Sequence, residues 1–453
     1  MSGRVGRRAL WRLAPWRRAP LLGLRSPAAV LAVLVTSAIL ACAVASAPLF
    51  LSSARSAALQ AQVGGQCAEA GWVQTAASSS PATARALQQA WRAQGRDSQL
   101  VLVTGTVAGR EKGPGPGLGV TDAAGAEVTD RLTLFYRPDA LDHVRVVAQR
   151  PGSGVWLPAD YARAAGLQLG DRVTVSGQAV DVVGLYRELW SVDPGTYWCD
   201  YRLLYANDIS ANRAPPAWAL VTDPDTFFRL TARAGDAVAL AQVHVHRTTL
   251  TAARARDLVA AQARAEAQVS GGARPDQVNG RLADALARAQ LIRDGLRGPV
   301  VPVAVAGGLL ALVLVAAAGS FWADRRATEV RLLAARGVGP GPLAGKAALE
   351  LGLPALAGTA AGWAASRLLI ATLGPADDLD PSATRAAVAA AAAAFVVGLV
   401  AAAALAGLRA RGTAERPLGA APRWPARVPW ELALIAAALG CWAALQGLSL
   451  IHI

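Results

Sequence analysis

Five stretches of the chain are apolar over the length a bilayer demands: residues 28–51, 299–323, 347–373, 386–408 and 428–453. A hydrocarbon core of about 30 Å takes roughly 20 apolar residues when crossed as a helix. The first two stretches hold no charged residue, and the fourth is nearly all alanine. The third carries Glu350 and Arg367 near its ends, where snorkelling to water accounts for both without a proton-carrying role. The pattern predicts five membrane helices.

Residues 52–298, between the first two stretches, are polar and long enough for a folded aqueous domain. A helix is expected over residues 81–94, then strands near 99–107, 132–136 and 144–149. From Val155 the signals sharpen: a strand, a short helix opened by Pro158 and Asp160, a turn at Gly170 and Asp171, and two strands separated by Gly177. In such a turn glycine relieves a positive φ and the Asp side chain caps backbone N–H groups, so Asp171 reads as structural. Residues 248–296 return to helical spacing, interrupted at 270–275, and predict a stalk leading into the second apolar stretch.

Charge sets the orientation. Arg4, Arg7, Arg8, Arg12, Arg17, Arg18 and Arg25 precede the first apolar stretch without an acid among them. Arg325, Arg326, Arg331 and Arg336 follow the second, and Arg409, Arg411, Arg416, Arg423 and Arg427 follow the fourth. Positive segments stay in the cytoplasm. The connector 374–385 carries Asp377, Asp378 and Asp380 near its start and belongs outside. The expected order is therefore a cytoplasmic tail 1–27, a first span 28–51, an extracytoplasmic domain 52–298, a second span 299–323, a cytoplasmic segment 324–346, a third span 347–373, an outer loop 374–385, a fourth span 386–408, a cytoplasmic loop 409–427 and a fifth span 428–453. Localisation is expected in the plasma membrane, with the N-terminus cytoplasmic. Ala45-Ser46-Ala47 resembles a signal-peptidase site and Leu40-Ala41-Cys42 faintly a lipobox, but the apolar stretch is longer than a signal core of roughly 7–15 residues, which favours an uncleaved anchor.

Composition agrees with a chain part membrane and part aqueous: 53% hydrophobic and 17% charged residues, with a mean hydropathy of +0.32. The bases are almost all Arg, Lys112 and Lys346 excepted, a skew expected of GC-rich actinobacterial codons. The net charge of +14 does not point to nucleic acid, because the arginines crowd beside apolar stretches instead of forming a phosphate-tracking surface. Four cysteines lack metal spacing. Cys67 and Cys199 both fall in the outer domain, where a disulfide between them and two separate buried thiols are both open readings. His244 and His246 lie on one face of an expected strand, but without a neighbouring Cys or carboxylate they make a poor metal site.

No nucleotide loop is present. In Pro340-Gly-Pro-Leu-Ala-Gly345-Lys346-Ala347 a proline replaces the first glycine and an alanine the Mg²⁺-binding hydroxyl. Hydrolase elbows and HExxH zinc motifs are also missing from the sequence. The chain is expected to be noncatalytic, with no cofactor.

The segment after the second span is the most specific. Val330, Leu333 and Ala334 share one helical face, Arg331 and Arg336 lie off it, and Gly337 stops the helix. Glu329, Leu333, Ala335 and Gly337 fit an E-x-x-x-L-x-A-x-G pattern. With the order and spacing of nearly the whole chain, this resembles the FtsX-like permeases of the MacB and LolCDE type, in which such a stretch forms a coupling helix. The elements at Gly170-Asp171 and Val183–Tyr186 likewise resemble that family's extracytoplasmic core domain.

The resemblance implies a transmembrane α-helical bundle with a large α+β extracytoplasmic domain inserted between helices 1 and 2. It implies a separate cytoplasmic ABC ATPase partner that docks on Arg325, Arg326, Glu329, Arg331, Leu333, Arg336 and Gly337. The function implied is export or extraction of a lipid, lipoprotein or peptide. A helix merely anchored to lipid phosphate by its arginines is the simpler reading of that segment. A non-transporting mechanotransmitter or sensor, acting on an extracellular enzyme or signalling partner, shares every feature and is the alternative function. A membrane-anchored adhesion domain would not need three further spans. A fifth span departs from the four-span members and matches the longer, duplicated form, so a second permease half or copy is expected. The last six residues, Leu448 to Ile453, back-translate to CTGTCTCTTATACACATC, a transposase mosaic end, and the chain is expected to be cut short there with these residues adaptor-derived.

Overall fold

The computed structural model describes residues 27–65, 73–104, 118–191, 197–198, 201, 217–233, 237–269 and 281–414. They form two compact units, one of residues up to 57 together with those from 291 onward, the other of residues 58–290. The N-terminal arginines, Cys67, Cys199, the loop after residue 414 and the fifth apolar stretch lie outside the described residues.

The four described apolar stretches are helices, longer than the hydropathy pattern marks. They are α1 (Pro27–Gly65), α6 (Arg281–Arg325), α8 (Pro340–Leu373) and α9 (Pro381–Ala414), with a short α7 (Ala327–Ala335) between α6 and α8. The four long ones are each long and apolar enough to cross a membrane. They bury a common core that includes Val33 and Leu40 of α1, Val315 and Trp322 of α6, Leu351 of α8 and Ala402 of α9. Their outward positions are also apolar: Leu309, Val313, Leu368, Val396 and Val400 are exposed. Helices apolar on both the packed and the outward face suit a lipid surround and would be costly in water.

The connector between α8 and α9 is not a plain acidic loop. Asp380 is buried and ion-paired with Arg55 of α1, and its N–H donates to Ser52 Oγ at 3.0 Å. Ser53 Oγ donates to the Ala376 carbonyl at 2.6 Å and accepts from Ala376 N–H at 3.0 Å. The partner for this acid thus comes from far away in sequence, and it puts residues 52–55 at the same end of the first unit as residues 374–380.

The second unit is a ten-stranded mixed sheet with helices. Its elements are β1 (Val73–Ser78), α2 (Pro81–Ala93), β2 (Gln99–Thr104), β3 (Leu118–Thr121), β4 (Glu127–Tyr136), β5 (Val146–Gln149), β6 (Val155–Pro158), α3 (Ala159–Ala164), β7 (Arg172–Val175), β8 (Gln178–Tyr186), β9 (Ala217–Val221), α4 (Pro224–Thr231), β10 (Ala237–Val243) and α5 (Ala252–Val269). The strand order is β1-β10-β2-β4-β3-β7-β8-β6-β9, with β5 on β8, and a parallel β4–β9 pairing closes β4 through β9 into a ring. The expected helix at 81–94 and the strand, helix, strand, strand run from Val155 are present. Gly170 and Gly177 have φ of +99° and +80°, and Asp171 accepts from Gln168 N–H at 2.7 Å.

Side-chain alternation explains why β2, β9, β10 and the end of β4 are rich in apolar residues. Successive residues of a strand point to opposite faces, and here both faces are covered. Leu102, Leu134, Ala219 and Ala239 join one core, while Val101, Val103, Phe135, Trp218 and Leu240 join another. The second core is aromatic, with Phe135 4.8 Å from Trp218 and 4.9 Å from Tyr201 between ring centroids.

Two helices start on Ser/Asp-Pro signals. Ser80 caps α2 and Asp223 caps α4, accepting from Thr83 and Thr226 N–H at 3.1 and 2.7 Å. Burial pushes the Asp223 carboxyl up, but hydrogen bonds from Ser153, Thr226 N–H and Thr222 outweigh it and hold the group below the usual range. A depressed carboxyl contributes stability above its unfolded value and loses it as pH falls through the folded one. Asp223→Ala should lower stability by about 1–2 kcal/mol at neutral pH, and Asp223→Asn by less, because Asn also caps. Comparison of the two thermal midpoints at pH 7 and again in acid, where the difference from wild type should shrink, checks this.

Candidate functional site

The segment between α6 and α8 is built by two local breaks. Helix α6 ends at Arg325, and α7 restarts after Arg326, whose φ of −107° and ψ of 21° leave the helical path. At the other end Gly337 has φ +82°. Its N–H donates to the Ala334 carbonyl at 2.9 Å and Val338 N–H to the Leu333 carbonyl at 3.1 Å. This is the left-handed glycine stop expected from the sequence, and Leu333 and Val338 close it by packing against Val330, Leu343 and Ala410. The expected apolar face of α7 is therefore the packed one.

Beneath α7 lies a network of charges. Trp322 Nε1 donates to Glu350 Oε2 at 2.7 Å. Arg326 reaches Glu350 and Glu329, each at 3.1 Å. Lys346 lies 3.4 Å from Glu350 Oε1 and also pairs with Glu329. The side chain of Glu350 is 0% exposed and that of Lys346 1%. Helical spacing puts these groups side by side, since Trp322 and Arg326, like Lys346 and Glu350, are four residues apart and Arg326 and Glu329 three. Two acids face two bases, so the cluster is neutral in its fully ionised form. Burial pushes the Glu329 carboxyl up, but the hydrogen bond and charge of Lys346, with the charge of Arg326, outweigh it and keep it below the ordinary glutamate range.

The snorkelling reading of Glu350 is therefore corrected. The carboxylate turns into the helix packing and not toward water, because Trp322, Arg326 and Lys346 satisfy it there. Arg367, the other charge of that stretch, donates to Thr384 Oγ1 at 3.2 Å. The nucleotide-loop lookalike around Lys346 is the opening of helix α8, and its lysine is enclosed between Glu329 and Glu350.

The residues expected to couple divide by direction. Arg326, Glu329 and Leu333 belong to the inward packing. Arg331 and Arg336 are exposed, as is Leu332 at 61%, and Arg325 stands over the Phe321 ring at 4.9 Å. Arg331 and Arg336 make no ion pair among the described residues. Lys346, Glu350 and Trp322 were not expected to take part; the available signal was an acid just inside the start of an apolar stretch with a lysine one turn before it.

Of the other expected chemistry, His244 and His246 do lie together, with ring centroids 4.6 Å apart, but just past the end of β10 and exposed. Among the described residues no three His, Cys, Asp or Glu side chains gather as a metal site. Cys42 is a half-buried free thiol, and the Cys67 and Cys199 pairing falls on residues outside those described.

No protein-family model matches the chain. A comparison with curated proteins also finds no match.

Proposed function

We propose that the chain is the noncatalytic membrane-spanning permease subunit of an ABC transporter of the FtsX, MacB and LolCDE kind. In this reading residues 28–51, 299–323, 347–373 and 386–408 cross the plasma membrane. Residues 52–298 lie outside the cell, and α7 faces the cytoplasm, where a separate ABC ATPase subunit docks on it. The observation that carries the reading is α7 itself: a short helix between two long apolar ones, held by its charged underside and presenting Arg331, Leu332 and Arg336 outward. A helix with both an anchored face and an open basic and apolar face suits a protein contact better than a lipid-phosphate anchor, because Leu332 stands 61% exposed among the arginines.

Opening and closing of the ATPase dimer would tilt α7, and the charge network would pass that tilt to α6 and α8. Helix α6 is continuous from Arg281 to Arg325, and a helix of that length transmits displacement along its axis. The arginine-bearing segments support the orientation. Export or extraction of a lipid, lipoprotein or peptide is the function this mechanics would serve.

The test is co-purification from membranes with a co-expressed candidate ABC ATPase subunit from the same organism. Arg331→Glu combined with Arg336→Glu should weaken association about tenfold or more, as reversal of paired contact charges does. Removal of residues 329–337 should abolish it. Unchanged association in both would sink the proposal. Substrate flux in vesicles, against ATPase-dependent activation of an outer enzyme without flux, separates a transporter from a mechanotransmitter.

A further inference from the structure

The sheet unit contains a cleft of about 410 Å³ bordered by Asp97, Ser98, Gln99, Arg137, Gln242 and His244. It lies at one end of the sheet, where three glutamines stand in a row across neighbouring strands: Gln74 of β1 opposite Gln242 of β10, and Gln242 opposite Gln99 of β2. Glutamine is unusual within such apolar strands, and each of these has a defined part. Gln242 is 3% exposed, and its Nε2 lies 3.1 Å from Gln74 Oε1 and 2.9 Å from the Tyr201 hydroxyl. Both amide hydrogens are thereby used, while among the described residues its Oε1 has no partner. Ser98 Oγ is likewise buried and unpartnered.

Arg137 completes the cleft. It is 6% exposed, yet no carboxylate pairs with it among the described residues. Its Nε donates to Gln99 Oε1 at 3.3 Å, one Nη1 hydrogen goes to the Tyr197 carbonyl, and its guanidinium lies 4.0 Å from the centre of the Tyr197 ring. Among the described residues two of the five N–H donors of the guanidinium are used and three remain. A buried cation is costly unless its charge is met, and stacking on tyrosine meets only part of it. The stacking also fixes the plane of the guanidinium, which is what a planar two-oxygen partner requires.

The geometry points to a binding site for a carboxylate that carries an N–H donor within a few bonds of it: the free carboxyl end of a peptide, or an amino acid. The carboxylate takes the open edge of Arg137, and the donor supplies the hydrogen that Gln242 Oε1 lacks. Ser98 can serve either group. An oxyanion with acceptors alone, such as phosphate, is disfavoured, since Gln242 Oε1 and the Asp97 carboxylate would both face it. The volume is within the range for small-ligand sites, about 300–1,000 Å³.

The experiment uses the full chain in detergent with four probes: a tripeptide library with free carboxyl ends, the same library amidated, the common free amino acids, and inorganic phosphate. Binding is screened by thermal shift, and hits are titrated by calorimetry. Free-acid peptides or amino acids should bind, amidation should weaken binding about tenfold or more, and Arg137→Gln should abolish it. Ser98→Ala, a change that creates no buried charge, should weaken it severalfold, which keeps the test valid if the Arg137 variant misfolds. Binding by peptides alone identifies a chain end as the ligand, and binding by amino acids identifies the free form. Equal binding of acid and amide, tightest binding of phosphate, or no binding by any probe would overturn the assignment.

Discussion

Lys346→Met should destabilise the protein by about 3–5 kcal/mol, the cost of removing one member of a buried ion pair and leaving its partner charged. Methionine keeps most of the lysine's volume, so the loss is electrostatic and not a cavity. Two carboxylates, Glu329 and Glu350, would then face Arg326 alone. Glu350→Gln should cost a similar amount for the opposite reason, since Arg326 and Lys346 would share Glu329. The double variant restores balance by leaving the Arg326–Glu329 pair, and should lose clearly less than the two single effects combined. A double-mutant cycle on thermal midpoints in detergent measures this coupling, and additive losses would show that the four groups do not act as a unit.

The pH dependence has a sign as well. Glu329 is held below its ordinary value, so its contribution is complete above the free glutamate value of about 4.3 and fades as pH falls through the lowered one. In the Lys346→Met protein an unpaired carboxylate can take up a proton instead. Its deficit relative to wild type should therefore narrow in acid.

Much of the fold was legible because the signals were local. The four described apolar stretches, the strands alternating over residues 155–186, the Asp171 turn and the Gly337 stop all depend on neighbours within a few positions. The spacing of Val330, Leu333 and Ala334 marked the packed face of α7 for the same reason. What could not be read was which distant faces meet. Glu350 alone fits snorkelling as well as burial, and only the arrival of Trp322 and Arg326 from α6 decides between them. Asp380 looked like part of an acidic loop because its base, Arg55, is in the first helix. The β4–β9 pairing is parallel and non-local, so alternation along either strand carries no trace of it. The Arg137 cleft was missed because three glutamines in three strands are unremarkable until register sets them in a row.

A large effect of adding one methyl group is expected at Gly362. A Cβ there would overlap the carbonyl and Cα of Ala38, and one at Gly358 would overlap those of Leu34. With Ser366 at 0% exposure these residues form a stripe at four-residue intervals along α8, against which α1 lies with backbone nearly in contact. Lipid tails are as apolar as leucine, so helices in a bilayer gain little from hydrophobicity and depend on such close approach. Gly362→Ala should cost about 1–3 kcal/mol through overpacking, and Gly358→Leu with Gly362→Leu should prevent α1 from seating at all. Gly345 and Gly352 of the same helix supply the control, because a Cβ at either meets nothing within 4 Å. Alanine there should be neutral or should raise stability by up to about 1 kcal/mol, the ordinary helix preference for alanine over glycine. Opposite signs for the same substitution on one helix would separate a backbone contact from a general intolerance of change. Equal losses at all four glycines would count against the α1–α8 packing described above.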